Sequence, residues 1–341
     1  MKIIVDDKIP YVKGQIEQLG TEVLYLSGSK ISREDVRDAD ILLVRTRTHC
    51  NRELLEGSRV RFIVTATIGY DHLDTAYLAE AGIAWTNCPG CNATSVGQYV
   101  RNTLFLLERE RGLKLREATL GIVGVGHVGS AVREACQPWV GNILLNDPPK
   151  GLPVTLSEIQ QKCDIITFHT PLVTDGEWPT YHLAGEAFFQ GLAKRPVVIN
   201  AARGEVVDNV ALEKALDEGR ICEAVVDTWE NEPRLSRALL NKVYIGTPHI
   251  AGYSADGKAN ASRMSLEAIA GWMVEHGCLE ASPVFSVVPP AVPEGCVPTG
   301  DAVEDALRLY DPRQDSQRLK DTPDGFEQQR GNYPLRREQF R

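Results

Sequence analysis

Short apolar runs alternate with amphipathic stretches along residues 1–280 of the chain. This alternation is typical of parallel sheets that are covered by helices on both faces. The runs form two series, the first at 2–5, 21–26, 41–44, 61–67 and 83–87, and the second at 119–126, 143–147, 164–171, 196–204, 223–229 and 243–249. The pattern predicts an α/β protein with two doubly wound parallel sheets, of which the second has the six strands of a full dinucleotide-binding sheet.

Two longer segments, 93–112 and 258–277, repeat apolar residues at helical spacing. Five prolines then fall between 281 and 300, which predicts a linker or an edge element because proline ends helices and central strands. The charged remainder offers one amphipathic turn, formed by Val303, Ala306, Leu307 and Tyr310. We expect this tail to dock on the body of the chain or on a second copy, with a frayed end as the alternative.

Composition narrows the class of protein. The 341 residues are 43% apolar and 24% charged, an ordinary balance for a globular chain of more than one domain. A net charge of −9 repels phosphate backbones and acidic lipids, so nucleic acid and membranes are not expected partners. Most cysteines lie in apolar stretches, which favours reduced core thiols and a cytoplasmic location. Cys88 and Cys91 have CxxC spacing but no second pair, so no metal is predicted.

A glycine fingerprint follows the first strand of the second series. It comprises Gly124, Val125, Gly126, His127, Val128 and Gly129. The first glycine permits a tight turn, the second lets backbone N–H groups approach a pyrophosphate, and the third brings the next helix close to the strand. Asp147 ends the following strand, where an acid accepts hydrogen bonds from a ribose and disfavours a 2′-phosphate. The sequence therefore predicts a site for NAD.

Three later strands end in polar residues of different chemistry. Arg203 lies near the end of the run at 196–204, Glu232 follows the run at 223–229, and His249 ends the run at 243–249. Because the carboxyl ends of parallel strands meet at one edge of a sheet, we expect these side chains to converge. A base, a carboxylate that orients it and a guanidinium that fixes a carboxylate are the groups that hydride transfer with a 2-hydroxy acid requires.

At these residues the chain resembles the D-isomer-specific 2-hydroxyacid dehydrogenases, over about residues 1–280. The resemblance makes His249 the general acid/base, Glu232 its orienting partner and Arg203 the clamp for the substrate carboxylate. Asp227 would contact the nicotinamide amide. The other implied cofactor contacts are Thr170 and Gly252.

Four further segments resemble one branch of this family, at 2–11, 89–100, 249–259 and in the tail from about 300. That branch acts on a four-carbon hydroxy acid with a distal phosphate, and its tail is a dimerisation region. The resemblance implies that Thr46, Thr67 and Tyr253 contact the substrate. Because the chain is acidic overall, the positive charge near a phosphate must be local. The candidates are Arg45 first, then Lys258 and Arg47.

The predicted division is a discontinuous substrate-binding, flavodoxin-like domain at 1–92 with 253–280, a Rossmann NAD domain at 93–252, and a linker with a small C-terminal dimerisation segment at 281–341. We expect a homodimer. Two alternatives stay open: another dehydrogenase of this family, such as a phosphoglycerate dehydrogenase or a glyoxylate/hydroxypyruvate reductase, and an NAD-sensing binding protein on the same fold.

Overall fold

The computed structural model describes residues 1–20, 22–292 and 294–340. Two compact units are present, one formed by Met1–Asn92 with Ala255–Pro290 and the other by Ala93–Ser254 with Ala291–Arg341. Residues 281–290 of the predicted C-terminal segment group with the first unit, and the rest of the segment groups with the second. The first position of the run at 21–26 and the proline at 293 lie outside the described residues.

The described residues form eleven strands and thirteen helices. The strands are β1 (Lys2–Asp6), β2 (Glu22–Leu26), β3 (Ile41–Val44), β4 (Phe62–Thr65), β5 (Ala84–Thr86), β6 (Thr119–Val123), β7 (Asn142–Asn146), β8 (Ile165–Phe168), β9 (Val197–Asn200), β10 (Glu223–Val226) and β11 (Ile245–Gly246). The helices are α1 (Arg33–Val36), α2 (Arg52–Leu55), α3 (Thr75–Ala81), α4 (Ala93–Arg111), α5 (His127–Cys136), α6 (Leu156–Lys162), α7 (Glu186–Gln190), α8 (Asn209–Asp217), α9 (Arg237–Lys242), α10 (Ala255–Glu275), α11 (Ala302–Leu309), α12 (Pro312–Asp321) and α13 (Phe326–Gly331). Short 3₁₀ turns lie at Ile16–Leu19, Gly28–Lys30, Pro148–Lys150, Gly204–Val206 and Pro323–Gly325.

The first unit contains a five-stranded parallel sheet in the order β2-β1-β3-β4-β5. Its central strands β3 and β4 are buried along their whole length, as expected for a sheet that is covered on both faces. Leu266 and Ile269 of α10 pack with one face, and Val36, Leu55 and Leu78 of the shorter helices pack with the other. The predicted flavodoxin-like order is confirmed.

The second unit contains a six-stranded parallel sheet in the order β11-β10-β9-β8-β6-β7. The strands β7 and β8 lie on opposite sides of β6, so the strand order reverses at β6 while all strands stay parallel. Val123 of β6 pairs with Phe168 of β8, which pairs with Asn200 of β9, and Asn200 pairs with Val226 of β10. The strands therefore end at one level, and the polar residues after them begin from a common edge.

The long helix α4 packs closely on α5 within this unit. A Cβ atom at Gly97 would lie 2.9 Å from the carbonyl oxygen of Ala131, so only glycine allows the two backbones this separation. Tyr99 and Leu104 on the same helix are buried in the core beside the sheet. The predicted helix at 93–112 is thus present as α4 and packs on the helix that follows the glycine fingerprint.

The C-terminal segment is more ordered than its sequence suggests. One amphipathic turn is predicted, but the structure has three helices, α11, α12 and α13. Asp301 and Asp311 cap the first two through their side chains, and a proline at the first helical position suits α12. The prediction fails because each later helix buries a single large apolar residue, Leu319 or Phe326, among many charged ones. The amide of Asn102 holds α11 by donating to the carbonyls of Ala306 (2.9 Å) and Tyr310 (2.7 Å).

Candidate active site

The glycine loop between β6 and α5 has the shape that a bound pyrophosphate requires. Gly124 has φ of +87°, and a Cβ there would lie 2.7 Å from the carbonyl carbon of His169. A Cβ at Gly129 would lie 2.0 Å from the carbonyl oxygen of Gly124, whereas one at Gly126 meets no described atom within 4 Å. The loop therefore lies against β8 and the helix against β6, while open space remains at Gly126. His127 and Val128 begin α5, where N–H groups lack helical acceptors and attract anions.

Asp147 lies beside this loop, as the fingerprint predicts. Its Oδ2 accepts a hydrogen bond of 2.8 Å from the N–H of Val125, so the carboxylate also fixes the glycine turn. Lys150 donates to the carbonyl of Val125 over 2.7 Å from the other side. Among the described residues nothing donates to Oδ1 of Asp147, which is the oxygen available to a ribose.

Three buried polar atoms at the same edge of the sheet lack a hydrogen-bond partner within the described part of the chain. They are Thr170 Oγ1, Thr228 Oγ1 and His169 Nδ1. Buried polar groups are nearly always paired, so unpaired ones indicate a partner supplied by a ligand or water. Burial lowers the pKa of His169 to about 3, which keeps this imidazole neutral at pH 7. The glycine loop and these atoms fit NAD, and Thr170 is among the residues predicted to line it.

His249 and Glu232 form the central pair of the site. His249 Nδ1 lies 2.8 Å from Oε2 of Glu232, and the N–H of Trp229 donates to Oε1 over 2.9 Å. Burial alone would raise the pKa of Glu232, but the hydrogen bond and charge of His249, the Trp229 N–H and the charge of Arg330 together hold it below the ordinary range. The carboxylate is therefore ionised and accepts only, so Nδ1 of His249 donates and Nε2 is the basic atom of the neutral ring.

Asp227 fixes the turn in which His249 lies. Its Oδ1 accepts from the Thr247 hydroxyl (2.6 Å) and the Ile250 N–H (2.8 Å), and its Oδ2 accepts from the Ala251 N–H (3.0 Å). Burial raises the pKa of Asp227, against the lowering influence of His249 and of these donors. His249 itself has φ of +56°, a conformation that the surrounding hydrogen bonds must support. Asp227 thus has a structural task that the sequence did not indicate.

Arg203 lies on a loop that packs against the loop carrying Glu232. A Cβ at Gly204 would lie 2.0 Å from the carbonyl oxygen of Trp229, so the two backbones touch. The amide of Asn200 donates to the carbonyls of Arg203 (3.0 Å) and Thr228 (3.4 Å). Arg203 Nη1 donates to the carbonyl of Ala202 over 2.8 Å, and no hydrogen bond joins it to His249 or Glu232 among the described residues.

The predicted substrate residues Thr46 and Thr67 belong to the first unit. Thr46 is exposed, and the Thr67 hydroxyl lies 2.7 Å from that of Thr65 and donates to the Gly69 carbonyl over 2.8 Å. Arg45 makes two hydrogen bonds of 3.1 Å to the fully buried carboxylate of Asp6, which offsets its charge.

Lys258, another predicted cation of the first unit, is electrostatically coupled to Arg45. The pKa of Lys258 lies below its ordinary value because surrounding groups desolvate the ammonium and because the charge of Arg45 is near.

The second unit also contains groups that sequence reasoning missed. Arg330 of α13 donates to the hydroxyl of Tyr253 over 3.3 Å, and the Tyr333 ring lies edge-on to Tyr253 at 5.7 Å. His182 Nε2 lies 2.7 Å from Oε1 of Glu230, which links the loop after β8 to the loop after β10. No periodicity indicates these contacts, because the partners are distant in sequence and lie in loops or in the charged tail.

The two parallel sheets, the glycine loop and the histidine–carboxylate pair together define a dehydrogenase, and comparison with known proteins agrees. Residues 92–251 match the D-isomer specific 2-hydroxyacid dehydrogenase, NAD binding domain. The chain belongs to the family of D-isomer specific 2-hydroxyacid dehydrogenases and uses NAD. Across the described residues no helix has both the length and the apolar character to cross a membrane.

Within that family, the chain is similar along nearly its whole length to proteins named erythronate-4-phosphate dehydrogenase. It is 51% identical to the one from Bacteroides thetaiotaomicron, covering 99% of this chain and 97% of the relative. Identity is 41% to that of Porphyromonas gingivalis, covering 99% and 94%. Identity is 40% to that of Escherichia coli O157:H7, covering 99% and 92%.

Solved structures with a similar fold include NAD+-bound 3-phosphoglycerate dehydrogenase of Entamoeba histolytica. Its TM-score is 0.68 at 23% identity, covering 84% of this chain and 99% of that one. D-lactate dehydrogenase of Aquifex aeolicus, complexed with NAD and lactic acid, has a TM-score of 0.64 at 22% identity, covering 85% and 100%. At these identities the likeness concerns the fold.

Proposed function

We propose that this chain oxidises 4-phospho-D-erythronate at C2 to (R)-3-hydroxy-2-oxo-4-phosphooxybutanoate, a step in pyridoxal 5′-phosphate (vitamin B6) biosynthesis. The proposal rests on the pairing of His249 with an ionised Glu232, in the unit that also contains a loop shaped for NAD. The names of the relatives, at 40–51% identity over almost the full chain, support this substrate over others of the family.

His249 acts as the base. Because its Nδ1–H is held by Glu232, the free Nε2 lone pair accepts the proton of the substrate hydroxyl. The imidazolium that forms is stabilised by the Glu232 carboxylate, which the Trp229 N–H keeps in place. NAD, when bound, accepts the hydride from C2.

The remaining groups bind and orient the substrate and NAD. In this proposal Arg203 holds the substrate carboxylate in a bidentate contact and polarises the forming carbonyl. Asp227 contacts the nicotinamide amide, and Asp147 contacts the ribose, where its charge disfavours a 2′-phosphate. The proposed remaining cofactor contacts are Gly124, Gly126, His127, Val128, Gly129, Thr170 and Gly252. The proposed substrate contacts are Thr46, Thr67, Tyr253 and, for the phosphate, Arg45.

The test is NADH formation by the purified full chain with a panel of acids: 4-phospho-D-erythronate, 3-phosphoglycerate and D-glycerate. We expect the first to give the highest kcat/KM. The variant His249→Ala is expected to bind NAD as the wild type does and to lose kcat by about 1,000-fold, within the range of general acid–base catalysis. His276→Ala, which alters an exposed histidine at the end of α10, is the matched control and should retain full activity.

Other results of this assay would support one of the two alternative functions. Preference for 3-phosphoglycerate or a smaller hydroxy acid makes the chain another dehydrogenase of this family. NAD binding without turnover of any acid makes it an NAD-sensing protein and contradicts the proposal.

We also propose that the chain works as a homodimer in the cytoplasm. All eight cysteines are free thiols, which supports a reducing compartment. The exposed Val297 and Leu335 of the C-terminal segment are apolar positions suited to a second copy. Light scattering of the purified chain should give the mass of two copies, and a monomer at micromolar concentration contradicts this part.

A further inference from the structure

Arg330 of the C-terminal helix α13 lies among groups of the proposed substrate site. Its Nη2 donates to the hydroxyl of Tyr253 over 3.3 Å, and its Nη1 donates to Glu327 over 2.9 Å. The guanidinium carbon lies 5.9 Å from the centre of the Tyr253 ring and 5.7 Å from that of Phe326. Two rings therefore hold the cation in a fixed place, with a quarter of the side chain (25%) still exposed.

The described residues do not use all the donors of this guanidinium. Of the five N–H donors of an arginine, two are used in the contacts with Tyr253 and Glu327. The Nε atom is buried and finds no acceptor within residues 1–20, 22–292 and 294–340. The buried Nε does not face a ligand, but Nη1 and Nη2 have two N–H groups each and use one each in these contacts. A phosphate accepts from two such N–H groups in the bidentate geometry that the guanidinium offers.

The charge of Arg330 acts on the proposed pair of Glu232 and His249. Its charge is one of the influences that lower the pKa of Glu232, the partner of His249. The net charge of the chain is −9, so a phosphorylated substrate needs local cations. Arg45, the proposed phosphate contact of the first unit, uses two donors on Asp6 and has its charge offset there, so a further cation is needed for the phosphate. Among the described residues Arg330 makes no hydrogen bond to a fully buried carboxylate, since its ion partner Glu327 is 42% exposed and Glu232 acts on it only through its charge.

We propose that Arg330 is a specificity-determining residue that binds the distal phosphate of the substrate next to the hydroxyl of Tyr253. This inference rests on the proposed function and assigns part of its substrate site to the C-terminal segment. It implies that the segment selects phosphorylated over unphosphorylated acids.

The test compares wild type with Arg330→Ala, Arg330→Lys and the control Arg308→Ala. Arg308 is an exposed arginine of α11, so its loss removes the same charge from the same segment. Calorimetry of the NADH-loaded full chain measures the binding of 4-phospho-D-erythronate and of unphosphorylated D-erythronate. Steady-state kinetics with NAD give KM and kcat for the phosphorylated acid, and thermal unfolding verifies that each variant is folded.

For Arg330→Ala we expect about 30-fold weaker binding and higher KM for the phosphorylated acid, the scale of a lost charge-assisted hydrogen bond. Binding of D-erythronate and kcat should change less than about threefold. Arg330→Lys should recover part of the loss because it retains a charge without the bidentate geometry. Arg308→Ala should resemble the wild type.

Two results overturn the inference while leaving the proposed function intact. One is an unchanged ratio of affinities for the two acids in Arg330→Ala. The other is a fall of kcat for the phosphorylated acid with KM unchanged and the acid limb of its pH profile moved upward, which would make Arg330 only a positioning residue for Glu232. A wild type that does not oxidise 4-phospho-D-erythronate overturns the proposed function itself, and the inference with it.

Discussion

Replacing Glu232 by glutamine tests the central pair with almost no change of shape. The two carboxylate oxygens have different partners: Oε1 accepts from the Trp229 N–H at 2.9 Å, and Oε2 accepts from His249 Nδ1 at 2.8 Å. An amide has only one oxygen, so Glu232→Gln cannot satisfy both donors. If its oxygen faces Trp229, the amide NH₂ faces His249 and forces Nδ1 to become an acceptor. The proton then lies on Nε2, and the imidazole cannot act as a base.

The expected magnitude follows from two losses. A hydrogen bond to a charged group is worth about 1.5–3 kcal/mol, or about 10- to 150-fold in rate when it acts in the transition state. The inverted tautomer adds to this, and in serine-protease triads the carboxylate-to-amide change costs about 10⁴-fold in kcat. We therefore expect Glu232→Gln to lose kcat by about 1,000-fold at neutral pH, with NAD affinity unchanged.

The assay is initial-rate NADH formation at saturating substrate, with NAD affinity measured by protein fluorescence. Glu230→Gln is the matched control, because Glu230 lies two residues away and pairs with His182 instead of His249. The control should keep kcat within about threefold, the scale of a weak polar contact. A loss of less than tenfold in Glu232→Gln, or an equal loss in both variants, would refute the argument.

Two further substitutions test the loops around this pair. In Gly204→Ala the new Cβ would lie 2.0 Å from the Trp229 carbonyl oxygen, so we expect the free energy of unfolding in urea to fall by about 1–3 kcal/mol and kcat to fall as well. The control Gly271→Ala, whose Cβ would meet no described atom within 4 Å, should be neutral or stabilising. Equal stability of the two variants would contradict this. The folded pKa of His169 is about 3, against about 6.5 when unfolded, so the unfolded chain binds the proton first and stability falls as the pH drops below 6.5. Relative to His169→Gln, the wild type should lose about 2 kcal/mol of unfolding free energy between pH 7 and pH 5, and parallel pH profiles of the two proteins would disprove it.

Hydrophobic pattern predicted the elements well because it reports burial directly. The run at 164–171 is the clearest case: Ile165–Phe168 forms β8, and the polar residues from His169 onward leave the sheet to form the cofactor edge. The same logic predicted that His249 and Glu232 would meet, since both follow neighbouring strands of a parallel sheet. Periodicity therefore located both the sheet and the edge at which the proposed catalytic pair lies.

The pairing of charges was not accessible to the same reasoning. Arg45 was expected at a phosphate, but it bonds Asp6, which is 39 residues away and fully buried. Asp147 was expected at a ribose, and it also holds the Val125 N–H. Hydrogen-bond partners depend on tertiary geometry, which leaves no periodic trace in the sequence. For the same reason Arg330, in a charged helix, gave no signal.

The C-terminal segment is best understood through the turn that contains His249. The N–H groups of Ile250 and Ala251 donate to the carboxylate of Asp227. The carbonyls of these same two residues accept from Nη1 of Arg336, at 3.2 Å and 3.1 Å, and Arg336 is only 3% exposed. The two residues after His249 are therefore held through their N–H groups by Asp227 and through their carbonyls by the tail. Because the left-handed backbone of His249 persists only where its neighbours fix it, the tail is a structural part of the turn that carries the proposed base.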